Sequence, residues 1–333
     1  AKVRYKELPA LLTIDEALVA NSRFEDGPRI YQKGDAQKAI ADAPRKLSGV
    51  IEMGGQEHFY LEGQAALALP QEDVDMVVHS STQHPTEIQH KVAEALGVPM
   101  NAVRVEVRRM GGGFGGKESQ GNALAVACAI VARLSRKPCK MRYDRDDDMM
   151  ITGKRHDFRI SYDVGFDDTG RVSGVDFVQF TRCGWAQDLS LPVADRAMLH
   201  SDNAYLLENA RIESHRLKTN TQSATAYRGF GGPQGMLGIE RVMDHVAHEL
   251  GMDPLDVRRV NYYAEMPVES AGASGGSLSG KMKPQTTPYG MEVEDFVLHA
   301  MTDALAKSSD YEARRAAVLE WNASNSILKK GIA

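Results

Sequence analysis

Arg109-Met110-Gly111-Gly112-Gly113-Phe114-Gly115-Gly116-Lys117-Glu118 is the stretch around which the rest of the chain is organised. Five of the six residues from 111 to 116 are glycine. Glycine loses more backbone freedom on folding than any other residue, so such a run belongs where backbone must come very close to something. Before it, residues 103–107 are strand-like; after it, residues 123–134 form an apolar segment rich in alanine. A strand–loop–helix arrangement of this kind turns bare N–H groups toward a helix N-terminus and suits a phosphate or another oxyanion. The loop is not a Walker loop, because Glu118 stands where Ser or Thr would follow Gly116-Lys117. It satisfies G-x-G-x-x-G, but a run this rich in glycine does so by chance. A flexible linker would explain the glycines and leave Phe114 unexplained: a large apolar ring there needs something to pack on it.

The chain has 333 residues, enough for two ordinary domains or one large one. Charged residues make up 26% and hydrophobic ones 42%, the balance of a globular protein. A net charge of -5 without any basic block argues against nucleic acid as a partner. No apolar run approaches the ~20 residues of a membrane span. Cys128, Cys139 and Cys183 are scattered, without C-x-x-C, which excludes an iron–sulfur cluster or zinc ribbon built from this chain alone and suits a reducing, cytoplasmic compartment. The chain opens on Ala1 and strand-like Val3-Arg4-Tyr5, with no signal peptide, and ends on Leu328 to Ala333 with an apolar residue left over. The expectation is a piece of a longer polypeptide.

In order, a short strand and then a helix capped by Thr13 are expected over residues 1–20, and a second helix over 35–43 capped by Asp35. Residues 47–61 read as one extended strand with a bulge or close approach at Gly54-Gly55. Strands over 65–69 and 75–79 flank a polar turn, and a helix over 86–96 stops at Gly97. Gln83 sits at the junction between strand and helix, where a side-chain amide can face a cleft. A helix of small residues spans 121–134 and a strand 139–143. The acidic run from Asp144 to Asp148 is not an EF-hand, since Met149 and Arg155 hold the positions that need glycine and glutamate; it reads as a capped, solvated helix start. Residues 158–166 and 171–181 form a hairpin through Asp167-Asp168-Thr169-Gly170. A short helix over 193–200 carries Arg196, and residues 211–219 are strand. His245 and His248 share a helix face, with no third metal ligand in view. Residues 266–288, rich in Gly, Ser, Lys and Pro, read as a mobile loop. Helices over 289–307 and 310–322 close the chain.

Thr225-Ala226-Tyr227-Arg228-Gly229-Phe230-Gly231-Gly232-Pro233-Gln234 is a second glycine-aromatic loop feeding a helix, with Pro233 in its first turn. Two such loops point to one shared site. Phe114 and Phe230 on glycine turns could wall a flat ligand. Glu118 offers hydrogen bonds to the edge of a heterocycle, and Arg196 and Arg228 could neutralise charge developing on it. From the residues alone the site takes a flat, polar, partly anionic ligand, and the reaction stays open.

Several stretches taken together resemble the molybdenum-binding subunit of the xanthine dehydrogenase/xanthine oxidase family. They are Gly55 to Glu62, Ser81-Thr82-Gln83, the first glycine loop with Glu118, and Asp144-Arg145 through Asp148-Met149. Asp188-Leu189-Ser190, Asp195-Arg196-Ala197 and Thr225 to Gln234 complete the set. The resemblance runs along nearly the whole chain and implies an α/β fold of the α+β type, with helices packed on twisted mixed sheets. It corresponds to the front half of a molybdopterin-binding domain. It implies molybdenum held by the dithiolene of a pyranopterin, with no protein ligand to the metal. Gln83 would then lie beside the metal's oxo group, Gly113, Phe114 and Gly115 against the cofactor with backbone N–H contacts, and Arg228 along its site. Glu118 and Arg196 would hold the edges of a purine, Arg196 stabilising negative charge on the ring, and Phe230 would stack on its face. This pair favours xanthine or hypoxanthine over an aldehyde.

The family's reaction also needs a glutamate general base in a Gly-Glu-Pro-type motif, and this sequence contains none. Flavin (FAD) and 2Fe-2S clusters are expected on other domains or chains, and an apolar face turned to the absent half makes an oligomer or a partner contact plausible. Alone, the chain is expected to hold cofactor poorly and not to turn over. Other readings are an aldehyde oxidase-type subunit, a non-catalytic folded fragment, and a carbon monoxide dehydrogenase-type subunit. The last carries a cysteine where Phe114 stands.

Overall fold

Thr13 opens the first helix, α1 (Ile14–Val19), through a capping box in which its hydroxyl accepts from the Glu16 amide and the Glu16 carboxylate reaches back to the cap. The structure is a computed structural model describing residues 2–264, 285–294 and 296–332. Strand β1 (Arg29–Lys33) follows, then α2 (Ala36–Asp42), capped by the Asp35 side chain, and β2 (Arg45–Met53). Next come β3 (Ala65–Pro70), β4 (Met76–Ser80), α3 (Pro85–Leu96), ended by a left-handed Gly97, β5 (Val103–Glu106) and α4 (Asn122–Ser135). Strand β6 (Cys139–Arg142), α5 (Arg145–Ile151) and the long strands β7 (Asp157–Phe166) and β8 (Val172–Gly184) carry the chain to α6 (Ser190–Met198). Strand β9 (Ala210–Lys218), α7 (Gly232–Leu250), α8 (Pro254–Asn261), α9 (Leu298–Ser308) and α10 (Tyr311–Ser324) complete the described elements.

Two mixed sheets result. The larger has the order β1-β9-β8-β7-β2, antiparallel except for the β8/β9 pair; the smaller has β5-β4-β3-β6, with β4/β5 parallel. Side chains alternate across a strand, so β7 sends Phe158, Ile160, Tyr162, Val164 and Phe166 into a core shared with Ile239, Val242, Met243 and Val246 of α7. On the opposite face Gly165 and Gly174 let α2 lie directly on the sheet: a Cβ at either would stand 2.7 or 2.8 Å from an alanine Cβ of that segment. The smaller sheet is covered by α3 and α4 around Ile88, Val92, Leu124, Ala125 and Cys128. The architecture is mixed α/β with helices on twisted mixed sheets, as the sequence indicates.

Several local expectations are corrected. Residues 2–12 form no strand, because their apolar side chains find nothing to pack on; Tyr5 is 88% exposed. Gly54-Gly55 ends β2 instead of bulging within it, and Gly55 is a close-approach point, where a Cβ would stand 2.5 Å from Asp157 Oδ1. Asp144 does cap α5, yet Asp148 is buried and takes hydrogen bonds from Tyr60 and Gln64, so the acidic run is only partly solvated. The helix expected from residue 289 starts at Leu298, since Thr286 and Glu292 bridge across a turn at Gly290. Most of the loop expected over 266–288 lies outside the described residues.

Replacing Ile160, wholly buried at the centre of β7, by alanine removes contacts to α7 that no neighbour can replace. The expected loss is about 2–4 kcal/mol in urea denaturation, with an unchanged m-value.

Candidate functional site

The first glycine loop joins β5 to α4 and is fastened at both ends. At Gly111, the Glu62 carboxylate accepts from the amide at 2.7 Å and the Glu62 N–H donates to the Gly111 carbonyl at 3.1 Å. Lys117, fully buried, closes the other end: its ammonium donates to Glu62 O at 2.6 Å, Ser81 Oγ at 2.7 Å and Glu62 Oε2 at 3.3 Å, and lies over the Tyr60 ring. Burial lowers the Lys117 pKa, and the Glu62 charge works the other way. Tyr60 is anchored in turn to Asp148 and Gln64, and burial raises its pKa.

Gln83 follows β4 and leans across the loop. Its Oε1 accepts from the amides of Gly115 at 2.9 Å and Lys117 at 3.3 Å. A side chain at Gly113 would collide with it, the ideal Cβ falling 2.5 Å from Oε1. With its oxygen so engaged, Gln83 presents Nε2 as its remaining polar group, and the residue is exposed. The amides of Gly112, Gly113 and Phe114 have no acceptor among the described residues, whereas that of Gly115 is taken by Gln83.

The second loop joins β9 to α7, so it comes from the other sheet. The two loops meet through the Arg228 amide, which donates to the Phe114 carbonyl at 2.9 Å, and through Ser119 Oγ and Thr225 Oγ1 at 3.3 Å. At Gly115 a Cβ would lie 2.8 Å from Ala226 O, so only glycine fits the seam. Both loops repeat one conformation. Phe114 (φ 54) precedes Gly115 (φ 98), and Phe230 (φ 52) precedes Gly231 (φ 93), each phenylalanine in a left-handed region that bulky residues avoid. The Phe114 ring is 50% exposed.

His58 is the inner wall of the seam. Its Nε2 donates to Ala226 O at 2.7 Å, its ring packs on Tyr227 at 4.7 Å, and a Cβ on Gly116 would stand 2.7 Å from it. Nδ1 is buried without a partner, and burial lowers the pKa of the ring, with Lys154 and Arg155 adding positive charge nearby. Arg155 stacks on Tyr227 and donates to the Arg228 carbonyl at 2.9 Å, holding the second loop from behind.

Glu118 lies half-buried at the start of the turn into α4, and its carboxylate makes no hydrogen bond or ion pair among the described residues. Desolvation raises its pKa, a direction reinforced by Asp188 and Glu87 and opposed by His84. Arg196 lies on α6, exposed; its guanidinium has no partner among the described residues, while its carbonyl accepts from His200 at 2.8 Å. Helix α6 packs against the second loop and the start of α7, where Gly231 and Gly235 press on Val193 and Ala197, while Asp188, just before α6, accepts from Gln120 beyond the first loop at 3.2 Å. The neighbouring Asp195 is gripped by the buried Arg216 at 2.6 Å and by Arg29, which fixes the turn that carries Arg196.

The structure therefore gathers Gln83, Gly113, Phe114, Gly115, Arg228 and Phe230 at one seam, with Glu118 following on the first loop and Arg196 on the helix packed against the second. His245 is not part of it: Nδ1 lies 2.8 Å from the Tyr162 hydroxyl, and among the described residues no cluster of three His, Cys, Asp or Glu could hold a metal. Sequence reasoning missed Lys117, Glu62, His58, Arg155 and Arg216 as supports. Lys117 carried a signal as a charge closing the glycine run, and His58 and Glu62 as members of the resembling stretch from Gly55 to Glu62.

Residues 23–262 match the model of the molybdopterin cofactor-binding domain family. The chain is 39% identical over 333 residues to "Xanthine dehydrogenase" of Drosophila subobscura, covering 100% of this chain and 23% of that protein. It is 40% identical over 333 residues to "Xanthine dehydrogenase/oxidase" of Mus musculus, covering 99% and 23%. The chain thus spans about a quarter of the length of these curated relatives. Its fold is similar to that of quinoline 2-oxidoreductase from Pseudomonas putida 86, with a TM-score of 0.81 and 23% identity, covering 97% of this chain and 40% of the other.

The His58 geometry gives a signed pH effect. A folded-state pKa below the ordinary 6.5 means that the stability contributed by neutral His58 is present above 6.5 and is lost as pH falls through the lower, folded value. At neutral pH His58→Gln should destabilise by about 1–3 kcal/mol, from the lost packing and weakened bond to Ala226. Urea titrations at a series of pH values should show that deficit narrowing as the solution is acidified below 6.5; a deficit independent of pH would contradict the assignment.

Proposed function

The chain belongs to the molybdopterin cofactor-binding domain family, and from that premise we propose that it forms the front half of the molybdenum site of a purine-oxidising hydroxylase. The substrates would be hypoxanthine and xanthine, and the product urate. The observation that carries this reading is that the Glu118 carboxylate, just after the first loop, and the Arg196 guanidinium, on the helix packed against the second, both lack a partner among the described residues.

The residues fit a molybdenum–molybdopterin group. Gln83 Nε2 and the amides of Gly112, Gly113 and Phe114, none with an acceptor among the described residues, form a constellation suited to oxo and phosphate-like acceptors. Arg228 adds an exposed positive charge at the same edge. Bound there, the group would supply the two-electron oxidation that places an oxygen on a heterocycle carbon.

The chain's own residues would prepare the substrate. Glu118, in a half-buried place where desolvation raises its pKa, would hydrogen-bond the purine edge with its carboxyl group. Arg196, always charged, would attract the negative charge that builds on the ring when it is attacked. Phe230 would stack on the ring face and hold it flat against the seam. The general base belongs in this reading to polypeptide outside the chain, since the sequence has no Gly-Glu-Pro motif. Electrons would leave through 2Fe-2S and FAD units on other domains or chains, in an oligomeric cytoplasmic enzyme.

Molybdenum content, measured by elemental analysis, tests the half-site directly. Little metal is expected in this chain alone, and about one equivalent per chain when it is joined to the remaining part of such a domain; equal metal in both would sink the half-site reading. In the joined, metal-loaded form, Arg196→Met should lower kcat for xanthine by about 100-fold or more while leaving metal content unchanged. An unaltered kcat would remove Arg196 from the proposed chemistry.

A further inference from the structure

The glycine run that makes the site possible also makes it floppy in principle, because each glycine leaves a wide range of backbone conformations open. Something must select one. We propose that Lys117 is a positioning residue: its buried ammonium, gripped by Glu62 and Ser81, holds the 113–118 turn in the geometry that turns the Gln83 amide outward and carries Phe114 to the second loop.

Lys117 is fully buried, and each of its three donors has an acceptor: Glu62 O, Ser81 Oγ and Glu62 Oε2. Ser81 closes the circuit by donating to Glu62 Oε2 at 2.9 Å. Its backbone takes part as well. The Lys117 carbonyl accepts from the Gln83 amide at 2.8 Å and from Thr82 Oγ1 at 3.0 Å, and the Lys117 amide approaches Gln83 Oε1. The charge and the Gln83 contacts are therefore on one residue. A shift of the turn would strand a cation in a dry site, and an unpaired buried charge is among the most costly defects a protein can carry. Because Glu62 also holds Gly111, one carboxylate clamps the run at both ends.

The inference deepens the reading of the site given above, but its test needs no cofactor. Hydrogen–deuterium exchange of backbone amides on this chain separates a positioning role from a merely structural one. Lys117→Met keeps the bulk and removes the charge. Exchange at Gly115 and Arg228 should accelerate about tenfold or more, the loss expected for charge-assisted hydrogen bonds, while the buried Val78 and Ala125 keep native protection. Unchanged exchange in the loop, or an equal acceleration in the core, would overturn the proposal. Should Lys117→Met fail to fold, Ser81→Ala removes one acceptor and keeps the ion pair; it should loosen the same two amides more mildly, with Ser81→Thr restoring them. Native exchange in Ser81→Ala would likewise refute it. A chain that takes up no molybdenum but shows this local pattern would fail the functional reading and keep the positioning one.

Discussion

A backbone hydrogen bond from the Arg228 amide to the Phe114 carbonyl joins two loops that belong to different sheets. The first loop leaves β5 of the smaller sheet, and the second leaves β9 of the larger. Beside that bond the two backbones crowd further, and Gly115 faces Ala226 with no room for a Cβ. Next to it Phe114 takes up positive φ, as does Phe230 two residues beyond Arg228. A left-handed conformation costs a non-glycine residue about 1–2 kcal/mol, so these rings stay in place only because the surrounding contacts over-determine them. The site is thus a property of how the two sheets are docked, and neither loop could form it alone.

Around that seam the charges divide into two populations. Lys117 and Arg216 are buried and each is ion-paired with carboxylates, Glu62 for the one and Glu25 with Asp195 for the other, although Arg216 Nε is left without a hydrogen-bond partner among the described residues. Such pairs add little net stability, because desolvation consumes most of the Coulombic gain, but they fix geometry firmly. Glu118, Arg196 and Arg228 are the opposite kind: more accessible and without a partner for their charged groups among the described residues. Arg216 holds Asp195, and the next residue is Arg196; Lys117 holds the turn, and the next residue is Glu118. In both cases a satisfied ion pair is placed one residue before an unsatisfied charge. That arrangement delivers a free charge at a defined position without asking the free charge to hold itself there.

Much of this was legible in the sequence wherever the signal was local. Thr13, Asp35 and Asp144 cap the helices they were expected to cap, and the Asp167-Asp168-Thr169-Gly170 turn joins the hairpin it was expected to join. The two glycine-aromatic loops announced the seam because glycine density is itself a statement about close approach. What stayed hidden depends on tertiary contacts. Strand β1 has an exposed, polar pattern and forms because β9 offers an edge to pair with. His58 and Arg155 resemble any other polar residues until the second loop is folded over them, and the burial of Asp148 inside an acidic run runs against composition. Conversely, Val3 and Tyr5 have strand propensity with no neighbouring strand to pair with, so propensity alone did not make a strand.

Phe114 completes the argument about what the seam is for. In this chain the ring stands half out in solvent on a strained backbone, and Phe59, also at positive φ, is 68% exposed on the neighbouring segment. Folding stability gains little from either ring, because glycine would relieve the strain at both positions and much of each ring lies in solvent. The rings are explained if the edge they stand on is covered by something flat or apolar. The unused amides beside Phe114 then require that the cover also bring acceptors, and an apolar protein face alone would leave those N–H groups buried and unpaired. A planar group with oxygen or nitrogen at its edge, of the kind the proposed reading places there, meets both demands at once.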